Sequence, residues 1–159
     1  MELFDKGILD RIGKKLLKKK QTIAIAESVT SGLLQFAFSN IKDASCFYQG
    51  GITAFNLGQK SKHLQVDPVH ASSVNSVSQK VAEEMAAHVC ILFKSDWGIG
   101  ITGYASPEPS AGNKVFAYYA ITFKNKIRSK GKLNPKKDQP PEVQAFYADT
   151  IIKKVARLI

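Results

Sequence analysis

The chain has 159 residues, of which 44% are hydrophobic and 23% charged, with a formal net charge of +10. At that length one domain buries roughly 70% of its unfolded surface, so the core needs no disulfide or metal staples. No apolar run approaches the roughly 20 residues that span a bilayer, the start MELFDKGILD lacks the layout of a signal peptide, and the positive balance favours anionic partners without choosing among them.

The first element is a helix over residues 2–19. Phe4, Ile8, Ile12 and Leu16 form its stripe, and lysines load its last turn, where they suit the helix dipole. Residues 22–26 form a buried strand that ends abruptly in Glu27-Ser28. A helix then starts near Thr30 and runs through SGLLQFAFSNI. A second strand covers 46–55, and a short helix over 56–66 leads to Asp67-Pro68, a stop signal. Val81, Met85, Val89 and Leu92 recur every three or four residues and define a helix, with Ser76 and Gln79 as its capping box. Residues 96–103 form a third strand that empties into the loop YASPEPSAGN. Strands over 114–123 and 124–133 pair as an antiparallel hairpin, and a helix over 140–159 ends the chain. This alternation predicts a three-layer α/β/α fold with a mixed, mainly parallel sheet. Strands 22–26, 47–54 and 97–102 should share that sheet, with the turns at Glu27-Ser28 and Gly103-Tyr104 opening on one edge.

In open α/β sheets, ligands bind where strands end and helices begin. AESVTSG, residues 26–32, sits at such a place. A helix beginning near Thr30 offers unpaired N–H groups and a partial positive charge. Ser28 stands there as a nucleophile beside an oxyanion hole, and Gly32 lets backbone come close. Read on this segment alone, helix capping by Ser28 or Thr30 is the competing account.

Four segments in register carry more weight: AESVTSGLL, GGITAFNLGQKSKHLQV (50–66), VSQKVAEEMA (77–86) and GIGITGYASP (98–107). Together they resemble the CinA carboxy-terminal domain family over nearly the whole chain. That resemblance implies a single CinA C-terminal-like domain over 1–159, here expected to stand alone. It implies a metal-independent amidohydrolase with no cofactor, which converts the carboxamide of nicotinamide mononucleotide, or a related amide, to the acid. The implied catalytic pair is Ser28 as nucleophile and Lys60 as base. The implied substrate-binding set is Glu27, Thr30, Ser31, Gly32, Phe55, Gly103, Ala105 and Ser106. A serine hydroxyl needs a base to take its proton, and lysine serves only if burial or nearby positive charge depresses its pKa. Lys62 and His63 are expected to supply part of that push.

Several family positions have changed. The tyrosine of the second motif is Phe55, one glycine of the first is Ser31, and the glycine before Pro107 is Ser106. The family's G-D-R stretch has become KKDQPPEVQ. These losses fall where a phosphate cradle is expected, because side chains obstruct backbone approach there. The alternative to an enzyme is therefore a degenerate relative that binds a ligand or a partner.

Lys124, Lys126, Arg128, Lys130 and Lys132 recur at every second position, which on a regular strand sets five cations on one face. Such a row can hold a phosphate backbone, yet it lacks aromatics for base stacking and matches the lysines that guard sheet edges. Nucleic acid is thus the weaker partner. A small nucleotide-type substrate and further copies of the chain, as a dimer or higher homo-oligomer, are the expected partners, with no membrane. Cys46 and Cys90 are too few for a disulfide framework and read as reduced cytoplasmic thiols; His63, His70 and His88 show no metal-ligand spacing.

Overall fold

The computed structural model describes residues 2–159. Its sheet has five strands in the order β2-β1-β3-β4-β5, and their ranges are β1 Ile23–Glu27, β2 Tyr48–Thr53, β3 Trp97–Gly103, β4 Ala117–Phe123 and β5 Lys126–Leu133. β1 runs parallel to β2 and to β3, while β3–β4 and β4–β5 are antiparallel. The helices are α1 Lys6–Lys19, α2 Leu33–Ser39, α3 Leu57–Leu64, α4 Pro68–Ser73, α5 Gln79–Phe93 and α6 Pro140–Leu158.

All five residues of β1 are buried, as befits a central strand covered on both faces. The two faces differ in size. Ile23 and Ile25 of β1 and Ile99 and Ile101 of β3 join the large core under α1, α2 and α6. On the other face the alternation leaves small residues: Ala24 faces Gly98 and Ala26 faces Gly100 across the β1–β3 pair, and Gly100 faces Ala120 across β3–β4. A Cβ at Gly98 or Gly100 would lie 2.3 Å from a carbonyl oxygen of α5. The small row therefore lets α5 settle directly onto β3. α3 leans on α5 in turn, with Leu64 in the same core as Val81 and Met85.

Three local expectations need correction. Asp67-Pro68 begins a helix instead of only stopping one, because the Asp67 carboxylate accepts from the Val69 and His70 N–H groups with Pro68 in the first turn of α4. The cap of α5 is Ser78, whose hydroxyl accepts from Val81 N–H. Ser76 sits at φ 60°, and the Gln79 amide donates to the Tyr119 carbonyl, so no Ser76–Gln79 box forms. The five-cation row is also broken. Lys124 and Asn125 form the hairpin turn at positive φ, and the β4–β5 register shifts beside Arg128, with Ile121 opposite Ser129 but Thr122 opposite Ile127. The bulge reverses the alternation. Lys130 then reaches Glu83 on α5 at 3.2 Å, while Lys124 and Arg128 lie over the Phe123 ring. No helix is long and apolar enough to cross a membrane among the described residues.

Candidate active site

β1 delivers Glu27 and Ser28 to the carboxyl edge of the sheet, and the chain turns there. The turn closes with Ser31 N–H donating to the Ser28 carbonyl at 3.0 Å. Ser31 and Gly32 take positive φ, 53° and 97°, and α2 begins only at Leu33. Glu27 folds back beneath this turn. One carboxylate oxygen accepts the Thr30 hydroxyl at 2.6 Å and the Leu34 N–H at 3.3 Å, and the other accepts the Gln35 N–H at 2.9 Å. A fully buried carboxylate is tolerated because these donors replace its water. The first amides of α2 are thus consumed, Leu33 N–H by the Thr30 carbonyl and Leu34 and Gln35 N–H by Glu27, so the helix itself offers no open donor.

Lys60 comes from the opposite side. Asn56 caps α3 by accepting the Gln59 N–H, and the fourth position of the helix, Lys60, points inward. Its Nζ donates to Ser28 Oγ at 3.0 Å and to the Phe55 carbonyl at 3.3 Å. Only 2% of Lys60 and 5% of Ser28 are solvent-exposed. Burial disfavours the ammonium and lowers the Lys60 pKa from 10.5 to about 8. Burial alone does this, and the contribution expected from Lys62 and His63 is absent. Among the described residues, no carboxylate forms an ion pair with Lys60.

The pair opens into a cleft of about 610 Å³. The turn at Gly103-Tyr104 opens on the same edge as the Ser28 turn, as the parallel β1–β3 pairing requires. Of the residues expected at the site, Ser28, Lys60, Phe55, Gly103, Ala105 and Ser106 line the cleft; Glu27, Thr30, Ser31 and Gly32 do not. Glu27 and Thr30 have no solvent exposure and serve the turn. Ser31 faces outward and accepts the Gln144 side-chain amide at 3.0 Å. Phe55 is 73% exposed, and its backbone carbonyl accepts from Lys60 Nζ.

The cleft also recruits residues outside the expected set. Asn75 and Ser76 come from the link between α4 and α5, Thr102 and Tyr104 from the end of β3, and Gln144 from α6. Asn75 donates to the Tyr104 hydroxyl, Thr102 to the Ser76 carbonyl, and Tyr147 of α6 to the Tyr104 carbonyl. Only the assembled fold brings these positions together. No group of three or more His, Cys, Asp or Glu residues suited to a metal ion occurs among the described residues.

A family model described as the CinA C-terminal domain matches residues 5–154. A putative competence-damage inducible protein of Halothermothrix orenii is 37% identical over 105 residues, covering 66% of this chain and 25% of that protein. A CinA-like protein of Prochlorococcus marinus is 41% identical over 99 residues, covering 62% and 23%. The chain thus spans about a quarter of the length of the curated relatives it matches. Among solved structures, a competence-damaged protein (CinA) superfamily protein from Escherichia coli superposes with a TM-score of 0.90 at 26% identity, covering 97% of this chain and 90% of that one. A competence/damage inducible protein from Agrobacterium tumefaciens reaches 0.91 at 21% identity, covering 99% of each, a likeness of fold. With the fold, the register of its motifs and the match over residues 5–154 in agreement, the chain belongs to the CinA C-terminal domain family.

Proposed function

We propose that the protein is an amidohydrolase in which Ser28 attacks a carboxamide and Lys60 moves the proton. The observation that carries this reading is the 3.0 Å contact between Lys60 Nζ and Ser28 Oγ inside a buried pocket. With a pKa of about 8, Lys60 is neutral in roughly one molecule in ten at pH 7, enough to serve as a base. Neutral Lys60 takes the Ser28 proton as Oγ bonds to the carbonyl carbon. The Val29 N–H follows Ser28 directly, donates to no acceptor among the described residues and belongs to a residue that lines the cleft; it is the donor assigned to the oxyanion. Lys60 then returns its proton to the leaving nitrogen and ammonia departs. Water, deprotonated by the same lysine, hydrolyses the acyl-enzyme to the acid and frees Ser28. Nicotinamide mononucleotide, or a related amide, is the substrate class that the family resemblance suggests.

A second reading, a silent relative that only binds ligand, draws on Phe55, which places no hydroxyl beside the dyad. One experiment separates the two: ammonia release from nicotinamide mononucleotide and from its dephosphorylated nucleoside, with Ser28→Ala as control. Enzyme-dependent release at least about 1000-fold above the Ser28→Ala background is expected on one of them. Equal rates for wild type and variant on both would leave the binding reading.

A further inference from the structure

Exposed cations gather at the end of the sheet opposite the cleft. Lys18, Lys19 and Lys20 close α1, Lys94 caps α5, and Lys124, Lys126 and Arg128 belong to the β4–β5 hairpin. All seven are exposed, and none forms an ion pair among the described residues. Hydrogen bonds at the amino ends of β1 and β3 stitch the three segments together. The Trp97 N–H donates to the Thr22 carbonyl at 2.8 Å, and the Lys124 N–H to the Asp96 carbonyl at 2.8 Å. Asp96 is the one acid in residues 18–22, 94–97 and 123–128. Its carboxylate turns inward and accepts the Thr22 N–H at 2.9 Å and the Thr22 hydroxyl at 3.2 Å. This end thus holds seven of the 23 cations and one of the 13 acids, so +6 of the net +10 lies in 15 residues.

Local roles account for part of the set. Lysines in a last turn offset the helix dipole, which suits Lys18 and Lys19, and cations on an edge strand discourage sheet pairing, which suits Lys126 and Arg128. Neither role calls for lysine at positions 20, 94 and 124, where φ is 54°, 50° and 48° and glycine or asparagine is the easier residue. The row of alternating cations does not supply this surface by itself. Lys130, beyond the bulge, is paired with Glu83, whereas Lys124 and Arg128 join the lysines of α1 and α5.

We propose that this pole binds the phosphodiester backbone of duplex nucleic acid without reading its sequence. Neighbouring strands lie about 4.8 Å apart, so β1 to β5 spans about 15 Å. A duplex carries one phosphate charge per about 1.7 Å of its axis, so roughly nine phosphates pass the seven cations. The aromatic rings at this end are already engaged. Trp97 and Phe123 stand 4.6 Å apart, and Lys124 and Arg128 lie over the Phe123 ring, which leaves no free ring to stack single-stranded bases or to enter lipid. The pole sits at the amino ends of the strands, away from Ser28 and Lys60, and does not depend on the amidase reading.

The test is fluorescence anisotropy with a labelled DNA duplex of about 20 base pairs, titrated across a salt series. Log Kd against log salt is expected to have a slope of about 4–6, near 0.9 per phosphate neutralised. The triple variant Lys124→Gln/Lys126→Gln/Arg128→Gln should weaken binding at least about tenfold and lower that slope by about 3. Lys6→Gln/Lys114→Gln/Lys136→Gln removes the same charge from the start of α1 and from the segments before β4 and after β5, and should change Kd by less than about threefold. On the wild type, amide exchange should show protection by the duplex in residues 18–22, 94–97 and 123–128. Equal losses in the two triple variants, or protection elsewhere, overturn the proposal. So does the absence of duplex binding at about 50 mM salt, including the case in which phosphatidylserine vesicles capture the protein instead.

Discussion

Lys60 bears two consequences that pull in opposite directions. Its pKa of about 8 makes it a usable base, so kcat/KM should rise with pH and level off above about 8, and Lys60→Met should abolish both the rate and that limb. The same shift is a cost in stability. The unfolded lysine holds its proton up to about 10.5, while the folded one releases it near 8. Between those values the unfolded state binds more protons, so stability rises with pH across that window. Below pH 8 the folded state carries the whole penalty, about 3 kcal/mol at 1.36 kcal/mol per unit of pKa. Denaturant titration of Lys60→Met at pH 7 should therefore show a gain of up to about 3 kcal/mol over wild type, and that gain should shrink toward pH 10. A variant less stable than wild type at pH 7 would mean that the hydrogen bonds to Ser28 and the Phe55 carbonyl outweigh the desolvation.

Elements hold the dyad together through close packing between α5 and the sheet. Gly100 has no room for a methyl group, since its Cβ would meet the Ala82 carbonyl at 2.3 Å and the Ala86 nitrogen at 2.6 Å. Both neighbours are helix backbone, so α5 must lift as a unit. Gly100→Ala should destabilise the fold by about 1–3 kcal/mol or more. α3 rests on α5 through Leu64, Val81 and Met85, so a displaced α5 carries Lys60 with it, and kcat should fall even in molecules that remain folded. Gly58→Ala is the matched control. It lies in α3, where the nearest atom to an added Cβ is an Asn56 side-chain oxygen at 3.5 Å, and it should stabilise by about 0.5–1 kcal/mol. Thermal melts and steady-state kinetics on the two variants check both statements; equal melts would place α5 farther from the sheet.

At the scale of the whole molecule, the last helix completes a site whose dyad lies in the first half of the chain. Tyr147 is fully buried, and its hydroxyl donates to the Tyr104 carbonyl at 2.9 Å. Gln144, one turn earlier, reaches Ser31 in the turn that follows Ser28. The Tyr104 wall of the cleft is thus tied to α6. Tyr147→Phe removes that one bond and leaves the aromatic packing, so it should cost about 1 kcal/mol of stability. It should also raise KM while leaving kcat close to wild type, because Tyr104 lines the cleft without touching the Lys60–Ser28 pair. A fall in kcat with KM unchanged would show that α6 acts on the dyad instead.

Periodicity and composition alone carried the α/β alternation, the parallel core of the sheet and the closing hairpin, because each depends on local hydrophobic pattern. Ser28 and Lys60 were legible as a pair only through motifs in register, since 32 positions separate them and no local spacing signals their contact. What tertiary structure alone decided is the use of neighbouring residues. Glu27 and Thr30 belong to the AESVTSG motif with Ser28, yet their side chains are buried in bonds within the turn and to α2 while Ser28 lines the cleft, so adjacent residues face different surroundings. The basic row reads as one face by its period of two, and a single bulge divides it. The lining of the cleft is likewise invisible in the sequence, because Asn75, Ser76, Tyr104 and Gln144 reach the site from three separate segments, and only folding determines which side chains a substrate meets.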